Sequence, residues 1–390
     1  MNDALLSRLC GQISSLLPKI REFRHDLHSE PEIALMEYKT HKKILKILSD
    51  TPLSFWEPLL GTDVIGVLKG KSGRTLCLRA DIDALPLEEK TGLAYASKIP
   101  GMMHACGHDG HTAILAGTAL ALCALKEELP VTVRFIFQPG EEKVCAGRKL
   151  VERGAVNDAE AAYALHAWPG LAPGAVSCRK GPILAAGAGF KFEFLGKGGH
   201  GAMPEEARNP IPAGARAIEK LLALHRKMNA TNHSVVTPCT FHAGTISTII
   251  PDNAVIEGTF RYLSEVTGDL LEKEIRDIAS EAADAEGVSQ AVDIKRIYNL
   301  PVLNTEKGAA TVRGLAEKYL SPGTYVEAEK ASMGSEDFAF YLTEGREGAF
   351  YLLGMGEESP SVHSPQFDFN DEALENGILM MCLIALTQTP

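Results

Sequence analysis

Long apolar runs are missing from this chain. No stretch of about 18 consecutive apolar residues occurs, so no membrane-spanning helix is expected. Basic charge is in deficit: the net charge of −11 argues against nucleic acid as the main partner. The opening residues Met1-Asn2-Asp3-Ala4 lack a basic segment followed by an apolar stretch and a small-residue cleavage site, so export by that route is not expected. The 8 cysteines are scattered without a framework spacing, the pattern of reduced thiols, and the expected location is the cytoplasm. No internal repeat or low-complexity segment stands out. What is present is a globular profile, 45% apolar and 23% charged. At 390 residues, two domains are the default.

One stretch organises the rest: Met102-Met103-His104-Ala105-Cys106-Gly107-His108-Asp109-Gly110-His111-Thr112-Ala113. It holds three of the 12 histidines and one cysteine, and a strongly apolar helical run follows at 114–125. A loop that opens a buried helix presents unsatisfied N–H groups and a positive dipole end. A thiolate and an imidazole two residues apart at such a place suit a borderline cation such as zinc. The bland alternative is a solvated histidine-rich loop with a packed cysteine.

The flanking segments build the frame. Leu5, Leu9, Ile13, Leu16, Leu17, Ile20 and Phe23 recur at helical spacing, and Pro31 blocks continuation. His25 and His28, at the end of that helix, read as capping or carboxylate-paired residues. Short buried strands are expected at 64–68 and 75–78. The second runs into Asp81 and Asp83, two carboxylates that are costly to bury unless paired or near a cation. A metal-site role and an ion pair with Arg79 are competing accounts. A strand at 131–137 ends in Gln138-Pro139-Gly140-Glu141-Glu142. One of these glutamates could hold a metal while its neighbour takes a proton. A strand at 161–165 ends at His166, another is expected at 350–353, and His363 follows in a proline-bounded loop. A closing helix is expected at 371–388. Strand, helix, strand with candidate ligands at the strand ends is a doubly wound α/β arrangement.

Residues 185–297 have a different rhythm. Strands are expected at 190–195, 239–246, 254–262 and 292–298, with helices at 211–225 and 268–285. That order, βαββαβ, is ferredoxin-like. It reads as an insertion into an α/β domain formed by 1–184 and 298–390, which resumes with a helix at 306–320.

With these residues in view, the chain resembles the M20 metallopeptidase family. The likeness is strongest to the N-acyl-amino-acid amidohydrolases that include hippurate hydrolases and plant auxin-conjugate hydrolases. It is carried by Arg24-His25-Asp26-Leu27-His28, Asp81-Ile82-Asp83-Ala84-Leu85-Pro86, Met103-His104-Ala105-Cys106-Gly107-His108-Asp109, Gln138-Pro139-Gly140-Glu141-Glu142, Gly199-His200-Gly201-Ala202 and Gly334-Ser335-Glu336-Asp337-Phe338. The resemblance implies a metallo-exopeptidase-like catalytic domain with a lid or dimerisation insert. It implies a dinuclear centre held by Cys106, His108, Glu142, His166 and His363, with zinc or manganese, or cobalt or nickel, as the two divalent ions. Glu141 matches the general base, His200 a donor to the oxyanion, and Arg261 a grip on the substrate carboxylate. Asp81 and Asp83 fall where the wider superfamily has a His-x-Asp motif; with Asp in the His place, both are expected behind the metal ligands. The implied reaction is hydrolysis of the amide of an N-acyl amino acid, a small-molecule substrate. A homodimer with His200 contributed in trans is expected, because two-fold dimers are the commonest oligomers and an open ferredoxin-like sheet edge can pair with its copy.

Two departures bear on substrate choice: Glu205 and Asn209 stand where the family often has His and Asp, and Ser247-Thr248-Ile249-Ile250-Pro251 lacks a usual Asn. A dipeptidase or aminoacylase with another acyl preference is an alternative. So is a thiol hydrolase with Cys106 as nucleophile and His108 or His166 as its base. So too is a metal-bound binding protein without catalysis.

Overall fold

The computed structural model describes residues 1–298 and 300–388. They divide into two compact units. One comprises Met1–Ile183, Leu303–Lys330 and the chain from Asp337 onward; the other comprises Leu184–Val302 and Ala331–Glu336. Asn299, Thr389 and Pro390, which the expected catalytic domain includes, lie outside the described residues.

In chain order the first unit opens with helices α1 (Asp3–Ser29) and α2 (Tyr38–Ile47), then strands β1 (Ser54–Phe55), β2 (Val64–Leu68) and β3 (Thr75–Asp81). Helix α3 (His108–Ala124) leads to β4 (Thr132–Gln138), and the short α4 (Glu141–Val144) and α5 (Ala146–Glu152) lead to β5 (Ala159–Pro169) and β6 (Val176–Cys178). After β7 (Gly181–Leu184) come β8 (Ala186–Leu195), β9 (Gly199–His200), α6 (Ile211–Asn232), β10 (Val235–Ala243), β11 (Ile249–Ile250), β12 (Asn253–Tyr262), α7 (Glu265–Glu286) and β13 (Ser289–Tyr298). Past β14 (Val302–Asn304) the chain closes with α8 (Glu306–Tyr319), β15 (Tyr325–Glu327), β16 (Glu347–Gly356) and α9 (Ala373–Leu386).

The first unit is built on an eight-stranded sheet in the order β1-β2-β4-β3-β5-β16-β6-β15. Its centre, β4-β3-β5-β16, is parallel, while β2 runs against both its neighbours and β6 runs against β16 but parallel to β15. Every position of β3 is buried, which is why these strands are near-continuous apolar runs rather than alternating ones. Helices α1, α3 and α9 pack together beside the sheet. Helix α1 buries Leu9, Ile13, Ile20, Phe23 and Leu27, and its first turn is capped by the Asn2 side chain, which accepts the Leu5 N–H at 2.9 Å. Helix α3 is apolar all round and buried along nearly its whole length, as an interior helix must be. The parallel strands deliver Asp81, Gln138 and His166 to their carboxyl-terminal ends, the usual edge for a site in such sheets. Among the described residues no helix is long and apolar enough to cross a membrane.

The second unit is an antiparallel sheet in the order β10-β12-β8-β13, with α6 and α7 packed on it. Phe190, Phe192, Phe194, Ile256, Phe260 and Tyr262 meet Leu221, Leu224, Leu271 and Ile275 in its core. Strands and helices follow one another as β8-α6-β10-β12-α7-β13, the βαββαβ order.

Several boundaries differ from expectation. The strand expected at 239–246 is Val235–Ala243. It is an edge strand containing Pro238, with a register shift between Pro238 and Thr240; an edge tolerates a residue that cannot donate, and the proline hid the strand. Strand β8 begins at Ala186, because Ala186, Gly187, Ala188 and Gly189 carry too little side chain to show alternation. Helix α7 starts at Glu265, where the Ser264 side chain accepts the Thr267 N–H. Residues 331–336 join the second unit because Ala185 N–H lies 3.0 Å from Ser332 O and 2.8 Å from Gly334 O, contacts that sequence order does not reveal.

Candidate metal centre

Helix α3 begins at the cysteine–histidine stretch. Gly107 precedes it with φ of 84°, a left-handed conformation, and a Cβ there would lie 2.9 Å from the Ala167 Cβ. Only glycine suits both demands. The turn leaves Cys106 just before the helix and His108 in its first turn, both buried.

Five candidate ligands and Glu141, from four segments, converge here. Cys106, His108 and His166 form one group; Cys106, Glu142 and His363 form another; His108, Glu141 and Glu142 form a third. Within each, potential ligand atoms lie within 4.8 Å of one another. Cys106 Sγ is 3.4 Å from His166 Nε2. His108 Nε2 is 3.8 Å from Glu142 Oε1, and His363 Nε2 is 3.1 Å from the same oxygen. His363, half-exposed with φ of 63°, is held by its own N–H, which donates to Ala105 O at 2.7 Å.

Backbone carbonyls fix the imidazole tautomers. His108 Nδ1 donates to Asp83 O at 2.9 Å, and His166 Nδ1 to Ala167 O at 2.8 Å. Nε2 of each ring is thus the nitrogen left to face a cation, the arrangement of a metal-ligating histidine. His108 Nε2 and Glu142 Oε1 are buried without a hydrogen-bond partner; the close His363 nitrogen is not aligned with that oxygen. Orphaned buried acceptors are costly unless a cation meets them.

The electrostatics point the same way. Burial pushes the Cys106 thiol well above its usual value, and Glu142, Glu141 and Asp81 push it further. Burial works against the charged form of His108, but Asp81 and Asp83 outweigh it and raise the ring to about 10. Burial lowers His166 to about 4, so its imidazole is neutral. A buried thiol among carboxylates is an inert nucleophile, whereas a divalent cation would draw out its proton. The donor set (thiolate, imidazoles and carboxylate) suits zinc-like cations.

Asp83 and Asp81 sit behind this shell. Asp83 lies past the end of β3, so the two do not share one strand face as their spacing suggested. Its Oδ1 accepts the Glu141 N–H at 3.0 Å and its Oδ2 the Glu142 N–H at 3.1 Å. The start of α4 is thus pinned by one carboxylate. Asp81 combines both accounts open in the sequence: Oδ2 pairs with Arg79 at 2.7 Å, while Oδ1 faces His111 Nδ1 at 2.6 Å and Oδ2 lies 3.6 Å from His108 Nε2. Arg79 also donates to Gln138 and Asp337.

His25 and His28 are paired with carboxylates, as expected. His25 Nε2 lies 2.8 Å from Asp371, and His28 Nδ1 lies 2.8 Å from Asp109, which also accepts from Arg24. His111 was not singled out by sequence, although it stands one helical turn from His108; that i, i+3 spacing was the available signal.

His200 and Arg261 belong to the second unit. His200 is exposed on β9, paired with Ile249 of β11. Its Nδ1 accepts the Ala202 N–H at 3.1 Å, so the ring proton is on Nε2 and free to be donated. Arg261 Nη1 donates to Ser335 Oγ at 2.7 Å, and a Cβ at Gly187 would fall 1.8 Å from that nitrogen. The guanidinium therefore lies across a glycine gap in the sheet. Burial lowers its pKa.

Comparison with known proteins gives a consistent picture. N-acetylcysteine deacetylase of Bacillus subtilis (strain 168) is 36% identical over 359 residues, covering 91% of this chain and 93% of that protein. IAA-amino acid hydrolase ILR1-like 4 of Arabidopsis thaliana is 36% identical over 362 residues, covering 91% of this chain and 82% of that protein. A solved putative aminohydrolase from methicillin resistant Staphylococcus aureus superposes with a TM-score of 0.89 at 30% identity, covering 97% of this chain and 98% of that one. The Bacillus subtilis YXEP protein, described as a dinuclear metal binding peptidase from the M20 family, superposes with a TM-score of 0.84 at 33% identity, covering 96% and 98%. The model of peptidase family M20/M25/M40 matches residues 77–387, which include each of the five converging side chains, and the chain belongs to that family.

Proposed function

We propose that the protein hydrolyses the amide bond of N-acyl amino acids, releasing a carboxylic acid and a free amino acid. One observation carries the reading. Cys106, His108, Glu142, His166 and His363 bring their potential ligand atoms within 4.8 Å of one another in overlapping groups, and the neighbouring Glu141 is buried beside them. Relatives named for N-acetylcysteine and for IAA-amino acids support the substrate class. The five residues would hold two divalent cations, with zinc favoured by the thiolate and manganese, cobalt or nickel as alternatives. When bound, such cations supply Lewis acidity, polarising the scissile carbonyl and making water acidic enough to lose a proton near neutral pH.

The chain's own groups do the rest. Glu141 accepts the proton of the attacking water and passes it to the leaving nitrogen as the C–N bond breaks. Asp83 aims Glu141 and Glu142 through their backbone N–H groups. His200 offers its Nε2 proton to the oxygen that gains negative charge. Arg261 binds the substrate carboxylate with its planar guanidinium. The second unit acts as lid and pairing domain of a homodimer; the edge strand β10 offers unpaired backbone for joining a second copy. No disulfide joins the 8 cysteines among the described residues, which fits a reducing compartment such as the cytoplasm.

Glu141→Gln should keep its metal and lose turnover by about 100-fold or more, whereas Glu142→Gln should lose metal together with activity. Full activity in metal-loaded Glu141→Gln refutes the assignment. A panel of N-acetyl, N-benzoyl and N-indoleacetyl amino acids reads the acyl preference, and no turnover of any of them refutes the substrate class.

A further inference from the structure

Helix α3 carries a second buried histidine that the proposed reaction does not use. His111 is fully buried, and both of its ring nitrogens are engaged. Its Nε2 accepts the Ala167 N–H at 2.8 Å. A nitrogen that accepts from a backbone N–H carries no proton, so the ring proton sits on Nδ1. It is donated to Asp81 Oδ1 at 2.6 Å. With both positions occupied, the ring has no lone pair left for a cation. Asp81, His108 and His111 therefore do not form a metal site of their own, close as they are.

Ala167 is the residue after His166, and its two backbone groups face opposite tasks. Its N–H goes to His111, while its carbonyl accepts the proton of His166 Nδ1 at 2.8 Å. Strand pairing explains why a side chain is needed. The ladder between β3 and β5 ends at Arg79 and Ala164. Beyond it β5 has no strand partner on that side, and a buried N–H there must find another acceptor. The His111 ring supplies one, and its centroid lies 4.7 Å from that of His166.

We propose that His111 is a positioning residue for the metal centre. It acts through Ala167, accepting the N–H of the residue whose carbonyl turns His166 Nε2 toward Cys106. Asp81 holds His111 in the required tautomer and is itself held by Arg79, so the chain of contacts runs Arg79–Asp81–His111–Ala167–His166. The inference rests on reading His166 as a ligand.

Three variants test it. In His111→Asn the amide reaches as far as Nδ1 did, keeping the donor to Asp81 but abandoning the Ala167 N–H. In His111→Gln the longer side chain brings an oxygen to the place of Nε2. His111→Leu removes both contacts. Each protein is loaded with cobalt; affinity is read by chelator competition, ligand geometry by the visible spectrum, and folding by circular dichroism. Loss of an outer partner of a metal ligand typically costs 10–100-fold in affinity. The Asn and Leu variants should lose about that much, with an altered visible spectrum, while Gln stays close to wild type. If Leu fails to fold, the Asn and Gln pair carries the comparison. Wild-type affinity and spectrum in the Asn variant, or equal loss in Asn and Gln, overturn the proposal. Wild-type protein that takes up no cobalt overturns the ligand reading itself, a distinct outcome.

Discussion

Replacing Asp83 by asparagine takes one acceptor from beneath the two glutamates. The side chain is buried, and its oxygens accept the Glu141 and Glu142 N–H groups at 3.0 and 3.1 Å. Hydrogen bonds to a charged group contribute about 1.5–3 kcal/mol each. Asparagine keeps one carbonyl oxygen but turns an NH2 group against the second N–H. The expected loss is one such bond, about 1.5–3 kcal/mol, with the donor–donor contact adding to it. The Asp83 backbone carbonyl, which orients His108, is untouched by the substitution, although the charge of Oδ1, 3.4 Å from His108 Nδ1, is lost. The damage should therefore fall on the glutamates: weaker metal binding by about 10–100-fold and lower kcat, with His108 still in place. Urea unfolding of metal-free protein measures the stability term, and chelator competition measures the metal term. Stability within about 0.5 kcal/mol of wild type, together with unchanged metal affinity, would refute the claim that Asp83 pins α4.

Two further outcomes are expected. Cys106 should resist alkylation in the metal-loaded protein and react slowly after chelation, faster as pH rises, because burial and carboxylates raise its thiol but no cation then occupies the sulfur; equal labelling rates, read by mass spectrometry, would contradict its place in the centre. His28 should make stability pH-dependent. Burial opposes its charge, but Asp109 and Glu89 raise it from 6.5 to about 9. A raised pKa means that this stabilisation is complete below pH 6.5 and is lost as pH rises through about 9, with an upper limit on the order of 3 kcal/mol. Unfolding free energies of metal-free wild type and His28→Gln should converge across that window, and parallel pH profiles would count against the pairing.

The helical spacing of Leu5 to Phe23, the buried runs of the central strands and the ligand-bearing strand ends were legible because each depends on local chemistry. A buried parallel strand must be apolar on both faces, and a helix against a core must repeat at helical spacing. Cys106 and His108 were legible for the same reason: a thiol and an imidazole two residues apart state their chemistry without any fold. Strand β10 was misplaced because its proline is acceptable only at a sheet edge, and edge status is a property of the assembled sheet.

What the sequence by itself determined is therefore most of the long elements, the chemical kinds of candidate ligand and, through its motifs, the family. Tertiary structure alone decided which buried groups would meet. His111 and Ala167 lie 56 positions apart, Arg79 and Asp337 lie 258 apart, and nothing local ties either pair. Asp83 accepts two backbone N–H groups because β3 ends at Asp81 and lets the chain turn toward α4. The physical reason is burial: once strand packing excludes water, each polar group must find a partner inside, and only the packed geometry sets which partner is within reach.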